Sequence, residues 1–315
     1  MKPPLKPSVN PPVNPSVKPS VAGLSLPALE PAHRLNKILS SALGRKSSAD
    51  TVKIDVPPWG ADCFGLAYSP LFNESTPLEQ QHILHLASDS LLLESYAIEK
   101  AGVGYMAKMV LLAKTTEERM LYSLFGADET AHLAQLMPFV PVIDDASKRD
   151  PFLQLLESLL ETADRWALMF VIQVVLEGWG LSHYRMLSKT CRDQSLGALF
   201  RSFVQAEARH HGAGVILFDA DALTADSRVL IGETLAAFLQ MVQVGPQRIV
   251  EAIAQVKGGL SRVQRIRVLT ELDTETHSGR RLNLLRSLIS PVAPSVAETL
   301  DQRGLFAPLP PAQCL

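Results

Sequence analysis

The chain has 315 residues, of which 47% are apolar and 20% charged, with a formal net charge of -2. That apolar share can bury a substantial core in one large domain or two small ones. The interspersed, nearly balanced charges leave no electrostatic footprint for nucleic acid or an anionic membrane.

Residues 1–30 repeat a four-residue theme, Lys6-Pro-Ser-Val9, Asn14-Pro-Ser-Val17 and Lys18-Pro-Ser-Val21. Such a segment favours extended polyproline II and is expected to be a disordered tail. Residues 31–75 read as a short helix, about 34–46, followed by an irregular arm over Val52 to Phe72. The arm carries Pro57, Pro58, Gly60 and Gly65. From Thr76 the pattern becomes helical. Thr76-Pro77-Leu78-Glu79 supplies a cap and a proline at the first helical position, and predicts a helix to about Ala113. A second helix starts near Thr115-Thr-Glu-Glu118 and ends before Pro138. A third is expected from Asp150-Pro151 to about Ser188, and a fourth from about Leu196. The most apolar run, Trp166 to Leu176, lies in the third helix, is interrupted by Gln173 and is too short to cross a bilayer. It is expected to be a buried bundle helix.

Two helices of nearly forty residues, two of more than twenty, short turns within each pair and one longer link (Pro138 to Asp150) describe an all-α four-helix bundle with one crossover, residues 76–222. Accessory helices are predicted over 223–290, at about 227–244, 246–257, 260–276 and 279–289. Residues 291–315, with Ala307-Pro-Leu-Pro-Pro311, are expected to form an extended tail. Cys63, Cys191 and Cys314 have neither metal-site spacing nor the density of a disulfide framework. A reducing, cytoplasmic setting is the expectation, with no signal-peptide apolar region ahead of the domain.

The second predicted helix carries Glu129-Thr-Ala-His132 and the fourth Glu207-Ala-Arg-His210. A carboxylate and an imidazole three residues apart share one helix face, so both can bind one metal ion. The spacing alone is common: it recurs at Glu30/His33 and Glu79/His82. The two central copies differ in having a further glutamate 30 residues upstream, Glu99 and Glu177. The midpoint of each interval, position 114 and Arg192, falls in a predicted turn. If each turn joins antiparallel helices, every ligand stands about 15 residues, or about 22 Å, from it, and all meet at one level. Glu94 is an alternative to Glu99. About four glutamates inside a bundle carry a charge that divalent cations would cancel. Carboxylate with histidine favours iron first and manganese second at one or both positions.

This arrangement, Glu, Glu-x-x-His, Glu, Glu-x-x-His on four successive helices, resembles the ferritin-like di-iron carboxylate superfamily over roughly residues 77–222. The resemblance implies that Glu99 and Glu177 are single-carboxylate ligands, that Glu129 and Glu207 bridge two Fe ions, and that His132 and His210 are terminal ligands. It further implies O2 activation. The helices after Asp226 are then expected to close a pocket for a small, apolar organic substrate walled by Leu92, Val103, Met106, Phe125, Val174, Val175 and Phe203. An O2-dependent non-haem di-iron oxygenase or oxidase is the first expectation, with an external electron donor and no nucleic-acid or membrane partner. A homodimer is compatible with it. Ferroxidase or peroxide-reducing activity is the second, and a metal-free scaffold with a partner-binding proline-rich tail the third. Around the ligands, His211 and His183 are candidates for extra ligation or proton transfer. Tyr96 is a candidate partner of Glu99, and Gly178 and Gly180 for a helix distortion.

Overall fold

The computed structural model describes residues 20–30, 32–44, 55–141 and 150–315. Among them the protein is all-α, with no strand beyond an isolated bridge between Trp59 and Cys191. Helix α1 spans Leu35–Ala42, a 3-10 turn Leu66–Tyr68, and α2 Pro70–Asn73. Thus part of the expected irregular arm is helical. Val52–Ile54 and most of the link between hairpins, 142–149, lie outside the described residues.

Helix α3, Pro77–Leu112, begins where Thr76 accepts from the Glu79 N–H while the Glu79 carboxylate accepts from the Thr76 N–H, so two exposed donors are satisfied reciprocally. Helix α4, Thr116–Leu136, is capped by Thr115 and passes into a 3-10 turn, Met137–Phe139, at Pro138. The three residues between α3 and α4 make an antiparallel hairpin. A second hairpin joins α7, Glu177–Thr190, to α8, Gln194–Leu217, whose cap is Asp193. The hairpins meet along α4 and α8.

The third predicted helix is not continuous. It divides into α5, Pro151–Thr162, α6, Arg165–Leu168, a π-helical segment, Met169–Leu176, and α7. The cause of the break is local: Ala163 is extended (ψ 146°), and Asp164 restarts the helix by accepting from the N–H groups of Trp166 and Ala167. Arg165 then forks onto both oxygens of Glu118 at 3.0 and 3.1 Å and reaches the Leu112 carbonyl, tying the restart to the α3–α4 turn. The distortion expected at Gly178 and Gly180 lies just upstream of them. The Trp166–Leu176 run is buried as expected, with Met169 through Val175 all shielded, including Gln173.

Beyond the hairpins come α9, Ala225–Gln243, α10, Gln247–Lys257, α11, Arg262–Glu271, and α12, Thr274–Ile289. The division between the last two falls at Asp273, in the left-handed region (φ 47°), rather than near 276–279. The expected extended C-terminal tail is corrected. Pro294 opens a further helix, α13, Pro294–Gln302, and Leu305, Phe306 and Cys314 are buried, because the apolar spacing Val296, Ala297, Leu300 packs one face against α9 and α12. Part of the proline-rich N-terminus is also packed, with Ala22 fully buried. No single described helix is long and apolar enough to cross a membrane.

Candidate metal centre

Each central Glu-x-x-His pair is buried on its own helix: Glu129 and His132 on α4, Glu207 and His210 on α8. Glu99 comes from α3 and is 1% exposed. Glu177 begins α7, directly after the π segment. All six converge. Glu99, Glu129, His132 and Glu207 offer atoms within 4.8 Å of one another, and Glu177, Glu207 and His210 form a second such set, so Glu207 belongs to both. His132 Nδ1 lies 3.0 Å from Glu99 Oε2 and 3.7 Å from Glu207 Oε1. His210 Nδ1 lies 3.1 Å from Glu129 Oε1 and 3.5 Å from Glu207 Oε2.

These short separations are not hydrogen bonds throughout. His210 Nδ1 is buried with no aligned partner, and so is Glu177 Oε2. Orphaned buried polar atoms are costly, and here they point into one cluster of carboxylates. The cluster also strains its own charge. Burial, then the charges of Glu207 and Glu99, hold Glu129 well above the ordinary carboxylate range, and burial with Glu207 does the same to Glu177. Burial lowers His210, but Glu207, Glu177 and Asp128 outweigh it and raise it to about 9. The donor set, carboxylates with an imidazole in each group, is one that can hold a metal ion.

The surroundings hold this arrangement in place. Gly102, one turn after Glu99, leaves room for the Glu129 carboxylate: a Cβ there would lie 2.3 Å from Glu129 Oε2. Tyr184 donates its hydroxyl to Glu99 Oε1. Asp128 Oδ2 lies 3.4 Å from His210 Nε2 and 2.9 Å from Arg209, leaving Nδ1 turned to the cluster. Phe203 stacks on His132 at 4.1 Å, and Phe125 packs tilted against His210 at 4.3 Å. Behind His210, Gln173 donates to its carbonyl at 2.9 Å while accepting from Tyr105 (2.8 Å) and Tyr122 (2.9 Å). This buried network fixes the π segment against α8.

No protein-family model, curated protein or solved structure matches this chain. The functional reading therefore rests on the site itself. Its other candidates separate clearly. Glu94 is engaged by Arg248, which also binds Asp150, and does not enter the cluster. Tyr96 packs in the cluster of Trp59, Leu92 and Phe200, and the Glu99 contact falls to Tyr184 instead. His211 Nδ1 meets the Gln173 carbonyl at 3.0 Å, capping the π segment rather than joining the ligands. His183 stacks on Trp179 in the wall of the cavity that reaches Glu99 and Glu177, and burial lowers its pKa to about 4, so it is neutral at neutral pH. Of the other Glu-x-x-His copies, Glu79 serves the α3 cap with His82 exposed.

A narrow cavity of about 80 Å³ reaches Glu99, Glu129, Glu177 and Glu207. Its apolar walls are Ile98, Ala101 and Gly102 of α3, Phe152, Leu156 and Leu160 of α5, Ile172 and Leu176 of the π segment, and Trp179. The expected lid from helices after Asp226 is corrected, since those helices contribute no lining residue. Helix α5 takes that place because the break at Ala163–Asp164 frees it to fold across α3. Of the expected walls, Phe125 and Phe203 contact the histidines, whereas Leu92, Met106, Val174 and Val175 serve the core. A wider groove beside Leu43, between α4 and α8, holds Gln135, Ser195 and Ser202 and no titratable cluster.

Tyr184, Asp128, Gly102 and Gln173 were not singled out by sequence reasoning. A signal existed for three of them: Tyr184 is seven residues after Glu177, Gln173 four before it, and Gly102 three after Glu99, all same-face spacings. Asp128 had none beyond adjacency to Glu129.

Proposed function

We propose that this protein is an O2-dependent non-haem di-iron oxygenase or oxidase acting on a small, apolar organic molecule. The observation that carries the reading is the pair of buried carboxylate–histidine sets sharing Glu207, open to an apolar cavity. We assign Glu99, Glu129, His132 and Glu207 to one iron and Glu177, Glu207 and His210 to the other, with Glu129 near enough to His210 to serve both. The arrangement resembles that of ferritin-like carboxylate proteins, which supports the reading. Two irons held there would supply the reductive activation of O2, with electrons from an external donor.

The chain's own residues set the conditions for that chemistry. Tyr184 steadies Glu99, and Asp128 fixes the His210 ring so that Nδ1 faces inward. Gly102 lets the Glu129 carboxylate swing close to α3. Phe152, Leu156, Leu160 and Ile172 exclude water from the reacting face and favour an apolar guest over a hydrated ion. That preference separates the reading from a ferroxidase, whose substrate would need a polar path to the cluster.

The test is metal content after anaerobic ferrous reconstitution, followed by the absorption spectrum on admitting O2, for wild type and a Glu129→Ala/Glu207→Ala double variant. About two irons per chain and a new visible band, both lost in the variant, are expected. Absence of stoichiometric iron in wild type would overturn the proposal.

A further inference from the structure

Residues 20–26 run along α3 and α5 beside the cavity, and two charged side chains meet their backbone. Glu161 Oε1 on α5 accepts from Ser20 Oγ (2.9 Å), Val21 N–H (2.5 Å) and Ala22 N–H (3.4 Å). Lys100 Nζ on α3 donates to the carbonyls of Leu24 (3.0 Å) and Leu26 (2.7 Å). Between these anchors Ala22 is 0% exposed, and the Val21 carbonyl lies on Gly104, where a Cβ would come within 1.8 Å of it. Gly23 turns the chain at φ 62°, held by its N–H to Ser20 Oγ at 3.2 Å.

The seat admits one register. Pro-Ser-Val occurs three times in the N-terminal region, but the copies at 7–9 and 15–17 are followed by Asn10-Pro11 and Lys18-Pro19, where the docked copy has Ala22-Gly23. A proline cannot take the positive φ of Gly23, and neither Asn nor Lys fits where a methyl is fully enclosed. The recognised sequence is Ser-Val-Ala-Gly-Leu, not the repeat as such.

Helix α5 packs on α3 and α9, and its C-terminal end is further tied to α3. It supplies Phe152, Leu156 and Leu160 to the cavity but is cut from α6 at Ala163, so its covalent continuation does not hold it down. Lys108 of α3 donates to the Leu160 and Ala163 carbonyls at 2.6 and 3.0 Å, a second tether at the same end. We infer that the α3–α5 groove is a peptide-binding site filled in cis by Ser20–Leu26, and that this occupant clips α5 over the cavity, whose opening requires its release. The inference is independent of which metal, if any, the carboxylates hold.

Two full-length variants separate seat from occupant. Gly23→Pro spoils the segment and leaves the groove intact, whereas Gly104→Ala blocks the groove. Hydrogen exchange of the α5 amides, Leu155–Thr162, is expected to quicken about tenfold or more in both, with α8 unchanged. A synthetic peptide of residues 20–26 added in trans should restore protection to Gly23→Pro and not to Gly104→Ala. Uptake of a naphthalene-sulfonate dye should rise in parallel with exchange. Wild-type α5 exchange in Gly23→Pro would overturn the clip, failure of the peptide to restore protection would overturn the binding site, and unchanged dye uptake would overturn the opening step.

Discussion

Tyr184 and Gly102 show how narrowly the centre is determined by single side chains. Tyr184→Phe removes the hydroxyl that donates to Glu99 Oε1 and leaves a buried carboxylate oxygen without that partner. We expect iron affinity to fall about 10- to 100-fold, read by competition with a chelator, with the fold retained by circular dichroism. Gly102→Ala acts by space instead. Alanine favours the helix by about 1 kcal/mol over glycine, but its methyl would displace the Glu129 carboxylate, 2.3 Å away. The variant is therefore expected to lose iron while keeping or increasing α-helical signal on melting. A glycine replaced only for helix stability elsewhere, such as Gly212, where an added Cβ meets nothing within 4 Å, should not lose iron.

At the scale of elements, the break between α5 and α6 decides the shape of the pocket. One residue starts the new helix: Asp164 accepts from Trp166 and Ala167, and from the Ser227 hydroxyl at the start of α9. Asp164→Ala should cost about 1–2 kcal/mol, seen as a lower denaturant midpoint with an unchanged slope. The π segment is the other element the pocket depends on. It turns Ile172 and Leu176 to the cavity while Gln173 faces Tyr105, Tyr122 and the His210 carbonyl. Gly214 permits the close approach, since a Cβ there would meet Gln173 Cβ at 2.5 Å. Each hairpin is held by its own turn chemistry, so these two irregular stretches set how the stretch from α5 to α7 curves past the cluster.

Across the whole molecule, the buried carboxylate cluster ties folding to pH, and on the proposed reading to metal as well. Glu129 and Glu177 are raised well above their ordinary value of 4.5, so the folded chain keeps protons that the unfolded chain releases. Their effect is a stability that declines as pH climbs from about 4.5 towards neutrality. His210, raised from 6.5 to about 9, contributes stability fully below its unfolded value and loses it as pH passes through about 9. Both act in one direction. The metal-free protein is expected to melt at progressively lower temperature between about pH 6.5 and pH 9, above the range in which His183, lowered to about 4, acts in the opposite sense. Ferrous ion under anaerobic conditions should flatten that slope, because bound cations replace the protons. A melting temperature that does not fall over this range in chelator would contradict the charge burden assigned to the cluster.

What the chain determined by itself was whatever depends on contacts close in sequence. The Thr76, Thr115 and Asp150 caps fixed helix starts, the two Glu-x-x-His spacings fixed ligand faces, and equal 30-residue offsets about two turns brought Glu99 and Glu177 level with them. Only the tertiary structure decided the rest, because its causes lie far apart in the chain. Whether Glu94 or Glu99 enters the cluster depends on Arg248, 154 residues from Glu94, claiming the former. Tyr184 reaches Glu99 across 85 residues, and Ser20–Leu26 finds Glu161 across about 140. The π segment and α13 belong to the same class: the local pattern read as a plain helix at the first and an extended tail at the second, and only burial against distant elements set what each became. Local hydrogen bonds and side-chain periodicity leave a signature within a few residues, whereas long-range polar pairing and close packing leave none until the chain is folded.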